Sequence, residues 1–220
     1  MTNPANPTAA DPRPLLFAAA AQVVRLVEAL QADIDAGPGT SGPGASVSVL
    51  DAPTPCTEYG VRDLAGHVLA VLRRIEHVAT GGNPLDVPQE VRGVADAGWA
   101  ATAQADAGTM KATWSDDAVL DRMLTLPWAT LPGRAAALAY TQELTVHAWD
   151  LAAAIGRVSE LDDSLAVAVL PLARQFVPAD QRGGHVPFGP VVELASRDLG
   201  SAGPYDELVA WLGRDPAWRP

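Results

Sequence analysis

The stretch ELTVHAWDLAAAIG, from Glu143 to Gly156, sets ionisable and apolar side chains at helical spacing. It extends backwards through Ala136, Ala137 and Tyr140, so the periodicity predicts a helix over Arg134–Ile155 that Gly156 stops. With Glu143 at zero, His147 falls at about 40°, Tyr140 at about 60°, Leu151 at about 80° and Leu144 at about 100°. One inward stripe therefore carries a carboxylate at its edge and an imidazole within it. A buried carboxylate without a partner is costly, so Glu143 needs one. A Glu-xxx-His pair on one helical face can supply two metal ligands, or the two can simply bond to each other in the core. Asp150, at about −20°, stands where it can orient a ligand as a hydrogen-bond acceptor, or remain a surface charge beside Arg157 or Arg74.

A second helix is predicted from Val61 to just before Gly81-Gly82, with Gly60 as N-cap and Asp63 in the first turn. Setting His67 to zero, the apolar residues Val78, Val71, Leu64, Ile75, Val68, Val61 and Leu72 span about 20–140°. His67 sits on the rim of that arc, whereas His77, at about 280°, faces away from it. His67 facing Glu143 and His147 makes a three-ligand set, which leaves a transition metal one open position. The alternative is a partly buried histidine with a single hydrogen-bond partner.

The remaining elements are also mostly helical. A first helix is expected over Pro14–Ala36, ended by Gly37-Pro38-Gly39, and an Ala-rich third over Pro88–Thr113. Val119–Leu126 and Trp128–Leu131 read as a short hairpin around Pro127. A helix over Ser164–Val177 contains Pro171. The end of the chain reads as a loop over Pro178–Gly189, a strand at Val191–Leu194 and a short helix with Pro204 in its first turn. The architecture expected is a mainly α fold. A helical bundle fills residues 13–180, residues 1–12 form a disordered tail, and residues 181–220 make an irregular extension packed on the bundle.

Composition narrows the function. The chain has 220 residues, 15 Lys plus Arg against 26 Asp plus Glu, and a formal charge of −11. Such a balance argues against nucleic acid and anionic membranes as partners. No run reaches the roughly 18 consecutive apolar residues of a membrane span, and the single cysteine, Cys56, suits a reducing interior. A cytoplasmic protein acting on a small molecule is expected, with a homodimer left open. Cys56 in DAPTPCTEYG reads as a nucleophile or a packed thiol. His185 in RGGHVPFGP reads as a mobile ligand or acid/base, or as polar surface. Arg62, Arg73 and Arg74 could hold a substrate carboxylate, although solvated helix charges are the plainer reading. Tyr140 could donate a hydrogen bond or simply pack.

PTPCTEYGVRDLAGHVLAVLRR (Pro53–Arg74) resembles the opening motif of actinobacterial metal-binding proteins of the DinB-like superfamily related to mycothiol-dependent maleylpyruvate isomerase. ELTVHAWDLAAAIG resembles their second motif. FGPVVEL (Phe188–Leu194) and DELVAWLGRDPAW (Asp206–Trp218) resemble the tail of a small-protein branch. The resemblance implies a DinB-like four-helix bundle that holds a divalent metal, usually zinc, on His67, Glu143 and His147. It also implies a low-molecular-weight thiol, mycothiol, as cosubstrate at the open position. The motif usually has Trp where this chain has Tyr59, and Ser or Thr where it has Gly60. A short tail stands in for the larger domain that supplies a catalytic arginine in the isomerase, so the isomerase substrate does not carry over. The expected function is thiol-dependent S-transfer or isomerisation. The alternatives are a non-catalytic metal- or ligand-binding protein, a metal-dependent hydrolase, or a tailoring enzyme of secondary metabolism.

Overall fold

Apolar residues at Leu16, Ala19, Ala20, Val23, Leu26, Val27 and Leu30 follow helical spacing and form the buried face of α1, Arg13–Asp35. A computed structural model describes this helix and the rest of residues 10–37, 48–180, 182, 188–194 and 202–220. By length and composition α1 also meets the requirement for a bilayer span, which the sequence reading did not anticipate. Half of that window is buried inside the fold, against α3 (Trp99–Trp114) and α5 (Gly133–Ala154).

The second helix, α2, runs Val61–Ala79 and packs on both α3 and α5. Polar side chains tie these helices together. Trp114 donates its indole N–H to the Ile75 carbonyl at 2.9 Å. Gln31 donates to the Asp96 carbonyl and accepts from the Trp99 amide, fixing the start of α3 from α1. Thr141 and Thr145 are buried in α5 because each hydroxyl bonds the carbonyl four residues earlier, at 2.7 Å.

Between α3 and α5 lie a helical turn, α4 (Ala118–Asp121), and an antiparallel hairpin of β1 (Met123–Thr125) with β2 (Thr130–Pro132). Leu124 pairs with Leu131, and Pro127 and Trp128 lie between the strands. The first strand, expected over Val119–Leu126, is only Met123–Thr125, because residues 119–121 belong to the helical turn α4, where Val119 and Leu120 are buried. After α5, Gly156 takes a φ of +71°. That left-handed turn lets the Arg157 amide bond back to Ala152 and end the helix.

The far side of α5 is covered as well. Val146, Trp149 and Ala153 form a second apolar cluster with α6 (Asp163–Phe176) and α7 (Pro204–Trp211). Gln22 on α1 donates to the Tyr205 hydroxyl and accepts from the Asp162 amide, locking this layer to the first. The chain is thus mainly helical with one small antiparallel sheet, and α5 lies between two layers.

Two further expectations are corrected. The Ala-rich helix does not begin at Pro88: residues 87–95 run irregularly across α2, and α3 starts only at Trp99. Gly66 makes this crossing possible. A Cβ there would sit 2.6 Å from the Val91 carbonyl oxygen, and the Val91 amide bonds the Gly66 carbonyl at 2.9 Å. Val191–Leu194 is not a strand; it is irregular chain tied to α7 by a bond from the Val192 amide to the Ala210 carbonyl. Residues 1–9 of the expected tail and His185 lie outside the described residues.

Candidate functional site

His67 lies mid-way along α2, and Glu143 and His147 lie on α5, where the two helices pack together. His67 Nε2 is 3.8 Å from Glu143 Oε1. The rings of His67 and His147 meet edge to face with centroids 4.8 Å apart. The structure therefore brings together the three side chains that the helical projections singled out. Their exposures, 8% for His67, 15% for His147 and 19% for Glu143, make a shielded site that is still reachable from solvent.

Each imidazole has one nitrogen committed. His67 Nδ1 lies 2.8 Å from the Gln89 carbonyl oxygen, which only accepts, so Nδ1 carries the proton and Nε2 the lone pair. The irregular segment before α3 supplies that carbonyl. Tyr59 stacks on the same ring at 4.9 Å, with its hydroxyl 3.3 Å from Nδ1. His147 Nδ1 is 3.0 Å from Asp150 Oδ2, a carboxylate oxygen that only accepts, so Nδ1 donates here and Nε2 is the nitrogen outside that bond.

Asp150 is fully buried and is held by Arg214, which donates Nε to Oδ1 at 3.0 Å and Nη2 to Oδ2 at 2.9 Å. Despite its burial, the guanidinium and His147 keep this carboxyl below the usual carboxylate range. The expected acceptor role of Asp150 beside His147 is what the geometry shows, but its cationic partner is neither Arg157 nor Arg74. Arg214, 64 residues away, carried no signal in helical periodicity or spacing.

The electrostatics favour a neutral His67 beside a carboxylate in need of positive charge. Burial pushes His67 down to about 4, and the neighbouring His147 adds to the shift. Burial pushes Glu143 up, against the pull of His147 and Arg74. Glu143 Oε2 is buried and has no hydrogen-bond partner among the described residues. Two ring nitrogens outside the Nδ1 bonds and an orphaned carboxylate oxygen make a donor set suited to a divalent cation. Two ligands of a tetrahedral zinc lie about 3.3 Å apart, close to the separation of 3.8 Å between His67 Nε2 and Glu143 Oε1.

Cys56, His147 and Asp150 form another cluster, with their potential ligand atoms all within 4.8 Å of one another. Both Asp150 oxygens already accept from Arg214, and Oδ2 also from His147. Burial, with Asp150 adding, pushes the Cys56 thiol up and keeps it protonated. This trio is accordingly the weaker cation site; its carboxylate serves to orient His147.

The other candidates divide. Arg62 and Arg73 pair with Asp96 and Asp106 as exposed helix charges. His77 lies half-buried beside Asp86, away from the three-residue cluster. Arg74, expected in solvent, is instead buried under residues 87–88, donating Nη2 to the Pro88 carbonyl at 2.9 Å. Tyr140 is fully buried on α5, its hydroxyl unpartnered among the described residues.

Two uncharacterized proteins of Mycobacterium tuberculosis, named Rv0738 and MT0763 in two strains, are each 34% identical to this chain over 170 residues, covering 75% of this chain and 85% of the relative. The chain belongs to their family. No family model matches it, and no solved structure matches it significantly. The family's names state no activity, so the chemistry must be argued from the cluster itself.

Proposed function

We propose that this chain is a divalent-metal protein of the DinB-like type, with α1, α2, α3 and α5 as its four-helix bundle. In this reading His67, Glu143 and His147 hold zinc, and the open position takes a low-molecular-weight thiol such as mycothiol for S-transfer or isomerisation. The observation that carries the proposal is the orientation of the two imidazoles. Both use Nδ1 on a fixed acceptor, leaving both Nε2 atoms outside those bonds, beside a carboxylate oxygen that has no partner among the described residues. That pattern of outer acceptors is how metal-binding histidines are held.

When bound, zinc with an open position supplies a thiolate, or hydroxide, at neutral pH. The chain's own part is geometric. Gln89 and Asp150 fix the ring planes, Tyr59 covers one face of His67, and Arg214 keeps Asp150 ionised. A closed structural site is the competing reading, favoured by the proximity of Cys56 to His147.

Zinc content after chelation and reloading tests the ligand set. Wild type should hold one zinc per chain, and His67→Ala and His147→Ala should lose it. Full retention by both variants would show the ligand set to be wrong. Cobalt-substituted protein tests the open position. Mycothiol should shift its visible spectrum in wild type and in Cys56→Ser alike. An unchanged spectrum at saturating thiol would remove the thiol reading.

A further inference from the structure

The Asp150 carboxylate accepts three hydrogen bonds from two parts of the chain. His147, on the same helix, gives one from Nδ1 to Oδ2 at 3.0 Å. Arg214 gives two, Nε to Oδ1 at 3.0 Å and Nη2 to Oδ2 at 2.9 Å. Such a side-by-side pair fixes the plane of a carboxylate as well as balancing its charge. Arg214 is itself placed by the turn that ends α7. Gly213 takes a φ of +81°, and the amides of Gly213 and Arg214 bond back to the Ala210 and Val209 carbonyls. A Cβ on Gly213 would sit 2.9 Å from the Gly189 carbonyl oxygen, so that turn is seated against the chain before α7. α7 packs on α5 through Leu208, Val209 and Leu212, which share an apolar cluster with Val146 and Trp149. Val146 and Trp149 stand on either side of His147 in the sequence. The C-terminal extension is thus fastened to the stretch of α5 that carries His147, by apolar packing and by one buried ion pair.

We propose that Arg214 is a positioning residue of the cation site: it fixes the Asp150 carboxylate, which holds the His147 ring, so that docking of the C-terminal extension and binding of a divalent cation strengthen each other. This coupling rests on the metal reading and brings into it a segment that supplies none of the three ligands. With the carboxylate plane fixed, Nδ1 of His147 has one acceptor position and Nε2 one direction. Without Arg214 the carboxylate is free to turn about its Cβ–Cγ bond, and the ring loses its fixed acceptor. His67 is held separately, by the Gln89 carbonyl at 2.8 Å, so one imidazole of the two depends on the extension. Outer partners of metal-binding histidines are worth about 10–100-fold in affinity, and Arg214 acts one step further out, so a loss of about tenfold is expected without it. Reciprocity requires that the cation tighten docking of the extension by the same factor. A purely electrostatic role has the opposite sign, because removing a positive charge beside the site would tighten zinc.

Zinc affinity of the full-length protein is measured by competition with a chromophoric chelator, and amide hydrogen exchange is followed with zinc and with chelator. Arg214→Gln should bind zinc about tenfold more weakly than wild type, with Arg214→Lys in between. Val169→Ala, which trims the same apolar layer without touching the ion pair, should stay within twofold of wild type. In wild type, zinc should slow exchange in α7 at least threefold more than in α3, and that excess should vanish in Arg214→Gln. Arg214→Gln binding within twofold of wild type, or tighter, overturns the proposal. An equal loss in Val169→Ala also overturns it, since the effect is then a general loosening of the layer. Should Arg214→Gln fail to fold, wild-type exchange decides, and equal slowing in α7 and α3 rejects the coupling. Should wild type bind no zinc, the metal reading fails by itself and takes the coupling to the cation with it. The NMR signal of the His147 Nδ1 proton in the zinc-free chain then decides the positioning alone. Its loss in Arg214→Lys, with the His67 signal kept, upholds the role of Arg214, and an unchanged signal rejects it.

Discussion

Replacing Arg214 with Gln removes both donors that hold Asp150, at 3.0 and 2.9 Å, and leaves a fully buried carboxylate with His147 as its remaining partner. Breaking a buried ion pair from one side costs about 3–5 kcal/mol. The chain can limit this by protonating Asp150. Relative to an ordinary Asp at about 3.9, protonation costs about 4 kcal/mol at pH 7 and about 1.5 kcal/mol at pH 5. The expected loss of stability is therefore about 3–4 kcal/mol at pH 7, falling below about 2 kcal/mol at pH 5. Urea denaturation in the presence of chelator reads it directly. With a slope of about 2–3 kcal/mol/M, the midpoint should drop by about 1–2 M at pH 7. The double variant Asp150→Asn/Arg214→Gln carries no charge at these two positions and should recover most of the loss. A single-variant loss under about 1 kcal/mol at pH 7, or one that does not shrink on acidification, would refute the reasoning.

Two further outcomes rest on single contacts. Burial raises Tyr205 to about 12, with Gln22 donating to its hydroxyl at 2.8 Å. The folded state holds this proton where the unfolded chain has released it. The contribution is whole below about pH 10 and disappears as pH rises to about 12, a change of about 2.7 kcal/mol. Tyr205→Phe should remove that part of the alkaline slope in denaturation midpoints. Gly66→Ala places a Cβ 2.6 Å from the Val91 carbonyl oxygen and should push the segment before α3 off α2. The expected cost is about 1–3 kcal/mol by denaturation. Because Gln89 moves with Val91, the NMR signal of the His67 Nδ1 proton should broaden or shift.

How much of the fold could be read from the chain varied with what each element packs against. The boundaries of α1, α2 and α5 lie within about two residues of expectation, because apolar periodicity and glycine stops are local features. The stretch over 88–95 was misread for the opposite reason. Its conformation is set by contacts with Gly66, His67 and Arg74 on α2, which no local pattern records. Gly93, at a φ of +73°, would have been fair warning against helix there. In α5, the apolar residues Val146, Trp149 and Ala153 off the inward stripe were the overlooked sign that a second layer covers the helix.

The same distinction runs through the site. His67, Glu143 and His147 could be found because a helical projection tests whether side chains share a face, and these three lie on faces that meet. A projection ranks a residue by its own helix and is blind to what lies over it. Arg74 falls beside His67 at about −20°, outside the apolar arc, and so looks solvated until the crossing segment buries it. Asp150 falls at the same angle from Glu143 on α5 and is buried by the tail that carries Arg214. Both rim charges are thus decided by irregular chain arriving from elsewhere. They differ in outcome: Asp150 receives a cation from the segment that covers it, whereas Arg74 receives only carbonyls. That asymmetry ties Asp150 into an ion pair of the protein's own frame and leaves Arg74, among the described residues, resting on carbonyls alone.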